Sequence, residues 1–310
     1  MRVLALHLGL IALLLGLHFV LPSYHHGNLA RVMVLASFAM GYNILFGYTG
    51  LLSLGHALFF AAGMYGTGLA VHHLGWGAGP ALVAGIAAGA VVSGTLALLA
   101  LRTSGVAFMI VTLMFAQAGA LTVLHFSEIT GGDEGFVLPY AGRILLELDL
   151  SDANTRYLAA FALFAVCLML CLWLVRTPFG RVLIAIRENE ERARMLGYDP
   201  FAYKFAAMVI SGTMAAAAGA AYGVLFGYVG SSFAEVQYSI LPLLYVLLGG
   251  AGTVLGPFVG TLFMFYLIDL SSDITSAHML IAGVALVLLT LFAPQGIMGE
   301  VRRRLWKGLP

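Results

Sequence analysis

Arg156-Tyr157-Leu158-Ala159-Ala160-Phe161-Ala162-Leu163-Phe164-Ala165-Val166-Cys167-Leu168-Met169-Leu170-Cys171-Leu172-Trp173-Leu174-Val175-Arg176 sets an unbroken apolar run between two arginines. At about 1.5 Å of rise per residue, a helix of this length reaches ~28 Å, close to the ~30 Å hydrocarbon core of a bilayer. Lipid offers no partner to backbone N–H and C=O groups, so the run crosses as a helix that satisfies them internally. Cys167 and Cys171 stand four apart on one face of it. With no further ligand-type side chains beside them, they read as packed thiols and not as a metal or redox pair.

Working outward from 156–175, similar runs lie near 3–21, 29–48, 51–71, 80–101, 106–126, 205–229, 238–252, 254–270 and 277–293. Composition agrees. Of 310 residues, 61% are hydrophobic and 9% charged, with a mean hydropathy of +0.99; soluble chains carry about a quarter charged residues. That hydrophobicity excludes disorder, and a net charge of +1 without a basic stripe excludes nucleic-acid binding. The 38 glycines against 9 prolines suit helices that pack closely in a membrane. The expected fold is an all-α polytopic membrane protein of about ten transmembrane helices, one domain over 1–310. The short, Gly-rich 238–252, with 254–270, leaves open a count of eight or nine spans plus a re-entrant element. The first run is expected to stay as a span, because Pro22-Ser23-Tyr24-His25-His26 offers no small-x-small cleavage site.

Basic residues orient the chain. With the N-terminus inside, Arg2, Arg102, Arg176, Arg181, Arg187, Arg192, Arg194, Lys204, Arg302, Arg303, Arg304 and Lys307 fall on the cytoplasmic side, and Arg31, Arg143 and Arg156 outside. Both termini are then cytoplasmic. Glu128, Asp133, Glu134, Glu147, Asp149 and Asp152 gather in an outer loop, 127–155, expected to be a solvated lid. Neither that loop nor the inner one, 176–204, is long enough for a core of its own.

The inner loop is the most informative segment. From Arg176 to Pro200 it reads as helical with a defined end, Gly197 supplying the left-handed C′ position and Pro200 blocking continuation. Glu188 with Arg192, and Glu190 with Arg194, stand at i,i+4 with the acid first. A short charged helix showing Ala193, Met195 and Leu196 suits docking; a solvated loop obeying charge asymmetry is the plainer alternative.

Pro178-Phe179-Gly180-Arg181, Ala185-Ile186-Arg187-Glu188-Asn189-Glu190, Ala193 and Leu196-Gly197 resemble the inner loop of the LivM-type permease subunits of branched-chain amino-acid ABC importers. Asn43 with Phe46-Gly47-Tyr48-Thr49-Gly50-Leu51-Leu52-Ser53-Leu54-Gly55-His56-Ala57 resembles the family's early motif. Arg102 to Gly105 with Phe108 to Thr112-Leu113, Thr130-Gly131-Gly132 with Gly135, and Leu248-Gly249-Gly250-Ala251-Gly252-Thr253 with Gly256-Pro257 continue the likeness in order along nearly the whole chain. The resemblance implies a non-catalytic permease subunit in the bacterial inner membrane. It would form a path with a second, homologous permease, driven by two cytoplasmic ATPases that bind ATP and Mg. A soluble binding protein outside would supply branched-chain or related hydrophobic amino acids. Importers of urea and short-chain amides belong to the same wider family. The inner loop would be the coupling helix, with Arg187, Glu188, Asn189, Glu190, Ala193, Arg194, Leu196 and Gly197 in the ATPase contact. Arg143 and Arg156 would be candidate docking anchors for the binding protein, unless neighbouring acids pair with them.

The residues themselves agree that the motor lies elsewhere. A phosphate-binding loop needs Lys before Ser or Thr, whereas Lys204 precedes Phe205 and Lys307 precedes Gly308. The rival class, an ion-coupled secondary transporter, wants an ionisable group at the membrane midplane; Glu128, Glu235, Asp269 and Asp273 all fall near span ends. A scaffold without a transport role would need no polar residues inside its spans, yet Asn43, Ser53, His56, Thr112 and Gln117 are there. These are the candidate path residues. Each has a structural alternative: interhelical bonding for Asn43, a cap or satisfied core histidine for His56, and bonds to their own backbone for Ser53 and Thr112.

Overall fold

The computed structural model describes residues 2–272 and 277–304; Asp273 and Lys307 lie outside them. The first half carries α1 (Arg2–Leu17), α2 (Ser23–Asn43), α3 (His56–Leu74), α4 (Ala78–Ala100), α5 (Gly105–His125) and the single turn α6 (Ser127–Thr130). The second half carries α7 (Ala153–Arg176), α8 (Pro178–Glu188), α9 (Glu190–Met195), α10 (Pro200–Phe226), α11 (Val236–Gly249), α12 (Gly256–Ser272), α13 (His278–Phe292) and α14 (Gly296–Arg304). Each of the ten apolar runs falls on one helix of 14 residues or more. Five are long and apolar enough to cross a bilayer unaided: α2 with its continuation to Tyr48, α4, α5, α7 and α10.

Local chemistry fixes the helix ends. The Asp152 carboxylate accepts from the Asn154 and Thr155 amides at the start of α7. Asp199 accepts from the Phe201 amide where α10 begins, with Pro200 in its first turn. Gly227, at φ +72°, ends α10 in the left-handed region.

The core is built around α2, whose span is 89% buried and which packs against α7, α10, α11 and α12. A second set, α3, α4 and α10, packs through small residues. A Cβ on Gly63 of α3 would stand 2.0 Å from the Ala216 carbonyl of α10, and one on Gly219 of α10 would stand 2.0 Å from the Phe60 carbonyl. Only glycine lets these two backbones meet, which is the physical use of the glycine-rich composition.

The two ends of the bundle differ. One gathers α8, α9, α14 and the turn between α11 and α12. The other carries β1 (Phe136–Val137), paired antiparallel with β4 (Tyr228–Val229), and the hairpin of β2 (Ile144–Leu145) with β3 (Leu148–Asp149). The segment expected to be a loose lid is therefore stitched to the exit of α10. Both α11 and α12 run between these ends. Ser231, just before α11, bonds Asp133, and Asp269, late in α12, accepts from Tyr24 and Asn28 at the start of α2. They are two short crossing helices joined by a buried turn, not one re-entrant element. At 14 residues, α11 reaches only ~21 Å.

Three expectations need correction. The run at 51–71 is not helical from its start: residues 50–55 are irregular and α3 begins at His56. The run at 29–48 starts earlier, at Ser23, and closes in a π-turn over Ile44–Tyr48. The inner loop is not one helix, because Asn189 adopts an extended conformation (φ −159°, ψ 103°) that separates α8 from α9. Glu188 and Arg192 thus lie on different helices and form no ion pair among the described residues. Glu190 and Arg194, both on α9, approach to 3.7 Å.

Candidate functional site

Irregular backbone inside a helical bundle must find hydrogen-bond partners within the protein. Between α2 and α3 it does. The Tyr42 hydroxyl donates to the Ser53 carbonyl at 3.1 Å, the Leu54 amide donates to the Thr112 hydroxyl of α5 at 3.1 Å, and the Gly55 amide donates to the Ser53 hydroxyl at 3.2 Å. The Ala57 amide, free at the start of α3, is met by the Ser239 hydroxyl of α11 at 2.8 Å.

His56 sits fully buried at the centre of this break. Its Nε2 lies 2.8 Å from the Ser211 hydroxyl of α10, which itself donates to the Gly41 carbonyl at 2.6 Å. Ser211 has spent its proton, so Nε2–H is the donor and Nδ1 accepts from Ser53 at 3.2 Å. One neutral ring thereby joins α2, α3 and α10.

A second node lies below it. The Asn43 side chain donates to the Thr253 carbonyl at 2.9 Å and accepts from the Gly252 amide at 2.9 Å, clamping the α11–α12 turn. A Cβ at Gly47 would fall 1.9 Å from Asn43 Oδ1, so only glycine fits beside the clamp. The Gly47 carbonyl in turn accepts from the Arg187 guanidinium of α8.

Ser53, His56 and Thr112 are thus brought together at one node and Asn43 holds the other, whereas Gln117 stands apart on the exposed face of α5. Asn43, Ser53 and Thr112 bond the fold's own backbone, and the His56 ring bonds two hydroxyls. Sequence reasoning did not single out Tyr42, Ser211, Ser239 or Thr253, whose hydroxyls and carbonyls complete the network. Their signal was weak: hydroxyls scattered through apolar runs acquire meaning only from the helix opposite.

At the charged end, α8 and α9 form an elbow. The Asn189 side chain caps α9 by accepting from the Arg192 amide at 2.8 Å. Glu190 bridges Arg194 and Lys204. Met195 and Leu196 are 80% and 70% exposed, and Glu188, Arg194 and Gly197 are exposed as well. Ala193 is not: it packs inward against Val182, Ile186 and Tyr203, which removes it from any docking surface.

At the hairpin end, Arg143 is engaged within the chain. Its guanidinium donates to the Val224 and Leu225 carbonyls at 2.8 and 2.7 Å, closing the last turn of α10. That bonding argues against its service as a docking anchor. Arg156 lies over the Phe226 ring at 5.7 Å. The loop acids do not pair with either arginine among the described residues: Asp149 accepts from Ser151 and Tyr140, and Asp152 caps α7.

A plain membrane anchor needs only continuous helices; here the irregular entry to α3 is held by hydroxyls of α2, α5, α10 and α11, the architecture of a polytopic membrane bundle built for more than anchoring. The family model described as "Branched-chain amino acid transport system / permease component" matches residues 26–292, and the chain belongs to that family. It is 30% identical over 296 residues to the high-affinity branched-chain amino acid transport system permease protein LivM of Escherichia coli strain K12, covering 88% of this chain and 69% of that protein. LivM of Salmonella typhimurium strain LT2 is 30% identical over 295 residues. LivH of Escherichia coli strain K12, another permease protein of the high-affinity system, is 23% identical over 281 residues, 86% of this chain and 91% of that protein. No solved structure matches the chain. The chain is a multi-pass membrane protein and a permease component of an ABC importer.

Proposed function

We propose that this chain carries branched-chain or related hydrophobic amino acids inward as one of two unlike permeases that share a translocation path. The motor is separate: two ATPase subunits bind ATP and Mg and close against the α8–α9 elbow, while a soluble binding protein delivers cargo at the hairpin end. The elbow and both termini face the bacterial cytoplasm, and no covalent chemistry takes place on this chain. One observation carries the reading. The elbow offers Met195 and Leu196 outward from its α9 limb, while Arg187 on its α8 limb holds the Gly47 carbonyl next to the irregular entry to α3. A push on the elbow is therefore delivered to the segment whose backbone is not locked in a helix. In proteoliposomes holding the assembled importer, uptake requires ATP and persists when ion gradients are collapsed. Uptake driven by a proton or sodium gradient without any ATPase would replace this reading with an ion-coupled one.

A further inference from the structure

Two arginines at the hairpin end are left without an acid. Arg31 is the exposed residue in a stretch of α2 otherwise buried from Asn28 to Asn43. Its guanidinium lies 5.2 Å from the centre of the Phe226 ring, on which Arg156 of α7 also lies, at 5.7 Å. Neither forms an ion pair among the described residues, and the Nε of Arg156 is buried with no partner there. The described aspartates of this end are occupied: Asp133 with Ser231, Asp149 with Ser151, Asp152 with the α7 amides, and Asp269 with Tyr24 and Asn28. Two like charges held on one ring repel each other, and no counter-charge lies beside them among the described residues. The ring steadies both guanidinium groups, and an incoming anion supplies the counter-charge that the chain does not.

What lies behind the arginines narrows the ligand. From Phe226 a chain of rings descends through Tyr222 at 4.5 Å, Phe233 at 5.1 Å, Tyr238 at 5.0 Å and Phe60 at 5.0 Å. The first four are partly exposed, and Phe60 is buried. A cationic rim above an aromatic wall is complementary to a small molecule with an anionic head and an apolar tail. We propose that Arg31 and Arg156 form a carboxylate-binding site at the mouth of this subunit, taking the carboxylate of the cargo while its side chain lies along Tyr222 and Phe233. This rests on the reading of the cargo as a hydrophobic amino acid. It gives Arg156 a different task from docking a binding protein.

The test uses the assembled importer in zwitterionic nanodiscs and proteoliposomes. Labelled isovalerate, a branched carboxylate without the amine, binds the wild-type complex; L-leucine displaces it and leucinamide does not. Arg31→Gln and Arg156→Gln each lower maximal ATP-driven leucine uptake about tenfold or more, the worth of one charge-assisted contact. The half-saturating concentration of loaded binding protein stays unchanged, and Arg156→Lys recovers part of the rate. The site is refuted if leucinamide displaces isovalerate as well as leucine does, or if both Gln variants transport normally. It is equally refuted by a defect that vanishes at high binding-protein concentration, which marks a docking contact, or by dependence of the wild type on anionic lipid, which marks a phosphate headgroup. Wild-type uptake that needs no ATP or accepts no amino acid instead sinks the functional reading, a separable result.

Discussion

Arg187, on the last turn of α8, donates from its guanidinium to the backbone carbonyl of Gly47 in the π-turn that closes α2. The same carbonyl belongs to the glycine that must be small to admit the Asn43 clamp on the α11–α12 turn. One arginine thus connects the elbow to two membrane-crossing elements. Its guanidinium reaches the crossing while the residue itself stays exposed at the elbow.

Arg187→Gln is expected to assemble and insert normally, yet to lose about tenfold of ATP-driven uptake, since a charge-assisted bond contributes ~1.5–3 kcal/mol. Uptake counted against complex recovered from the membrane is the measurement. ATPase stimulation by loaded binding protein persists in this variant, so hydrolysis and transport separate. Uptake that stays at the wild-type level refutes the strut.

Glu190→Lys acts on the other limb of the elbow. It removes the bridge to Lys204 and Arg194 and places a cation beside two others. Loss of ATPase stimulation with intact insertion is expected, read as hydrolysis with and without loaded binding protein. Full stimulation with normal transport excludes α9 from the ATPase contact.

Asn43→Ala leaves the Gly252 amide and the Thr253 carbonyl buried without their partner. Each orphaned group costs about 1–3 kcal/mol. A lower melting temperature of the purified complex is expected, together with easier proteolysis at the α11–α12 turn. An unchanged melting temperature means that water or another side chain replaces the clamp.

Orientation is open to direct labelling. A cysteine at Glu134, exposed beside β1, reacts with an impermeant maleimide from outside the cell, and one at Asn189, exposed between α8 and α9, reacts only after the inner face is opened. The reverse pattern inverts the topology and moves the elbow away from any cytoplasmic ATPase.

Acid should loosen the hairpin end at a defined point. The Ser151 hydroxyl, then its amide, holds the Asp149 carboxyl below the ordinary 3.8, and the Thr155 amide does the same for Asp152. A depressed folded-state pKa stabilises above the unfolded value and is lost as pH falls through the folded one. Amide exchange over 148–156, corrected for its intrinsic rate, should be flat from pH 7 to 5 and rise below about 3.8. A rise already near pH 6 assigns the loosening to groups other than these two carboxylates.

Much of the fold was legible in the chain because lipid imposes a crude rule: long apolar runs become helices, and each of the ten runs did. The ends were less legible. Residues 51–55 read as apolar and were taken into a span, although Gly50 and Gly55 bracket a segment that forgoes its helical bonds. Nothing local says that Tyr42, Thr112 and Ser239 will satisfy it from elsewhere. In the inner loop, Gly197 and the Glu190–Arg194 pair were readable from spacing, whereas the bend at Asn189 was not, because asparagine serves as readily inside a loop as at a cap. Ala193 was read outward and lies inward, since α9 is oriented by α10 and α8.

Hydropathy and charge asymmetry determined by themselves that this is a polytopic membrane protein with a charged loop at one end, for these follow from the cost of placing bare backbone and charge in hydrocarbon, while the order of the motifs marked it as a permease by resemblance alone. Which polar groups meet was decided only by tertiary packing. The His56–Ser211, Asn43–Gly252, Arg187–Gly47 and Arg31–Phe226–Arg156 contacts join residues far apart in the chain, and a hydrogen bond or a ring contact is fixed by helix rotation and depth that no single run encodes.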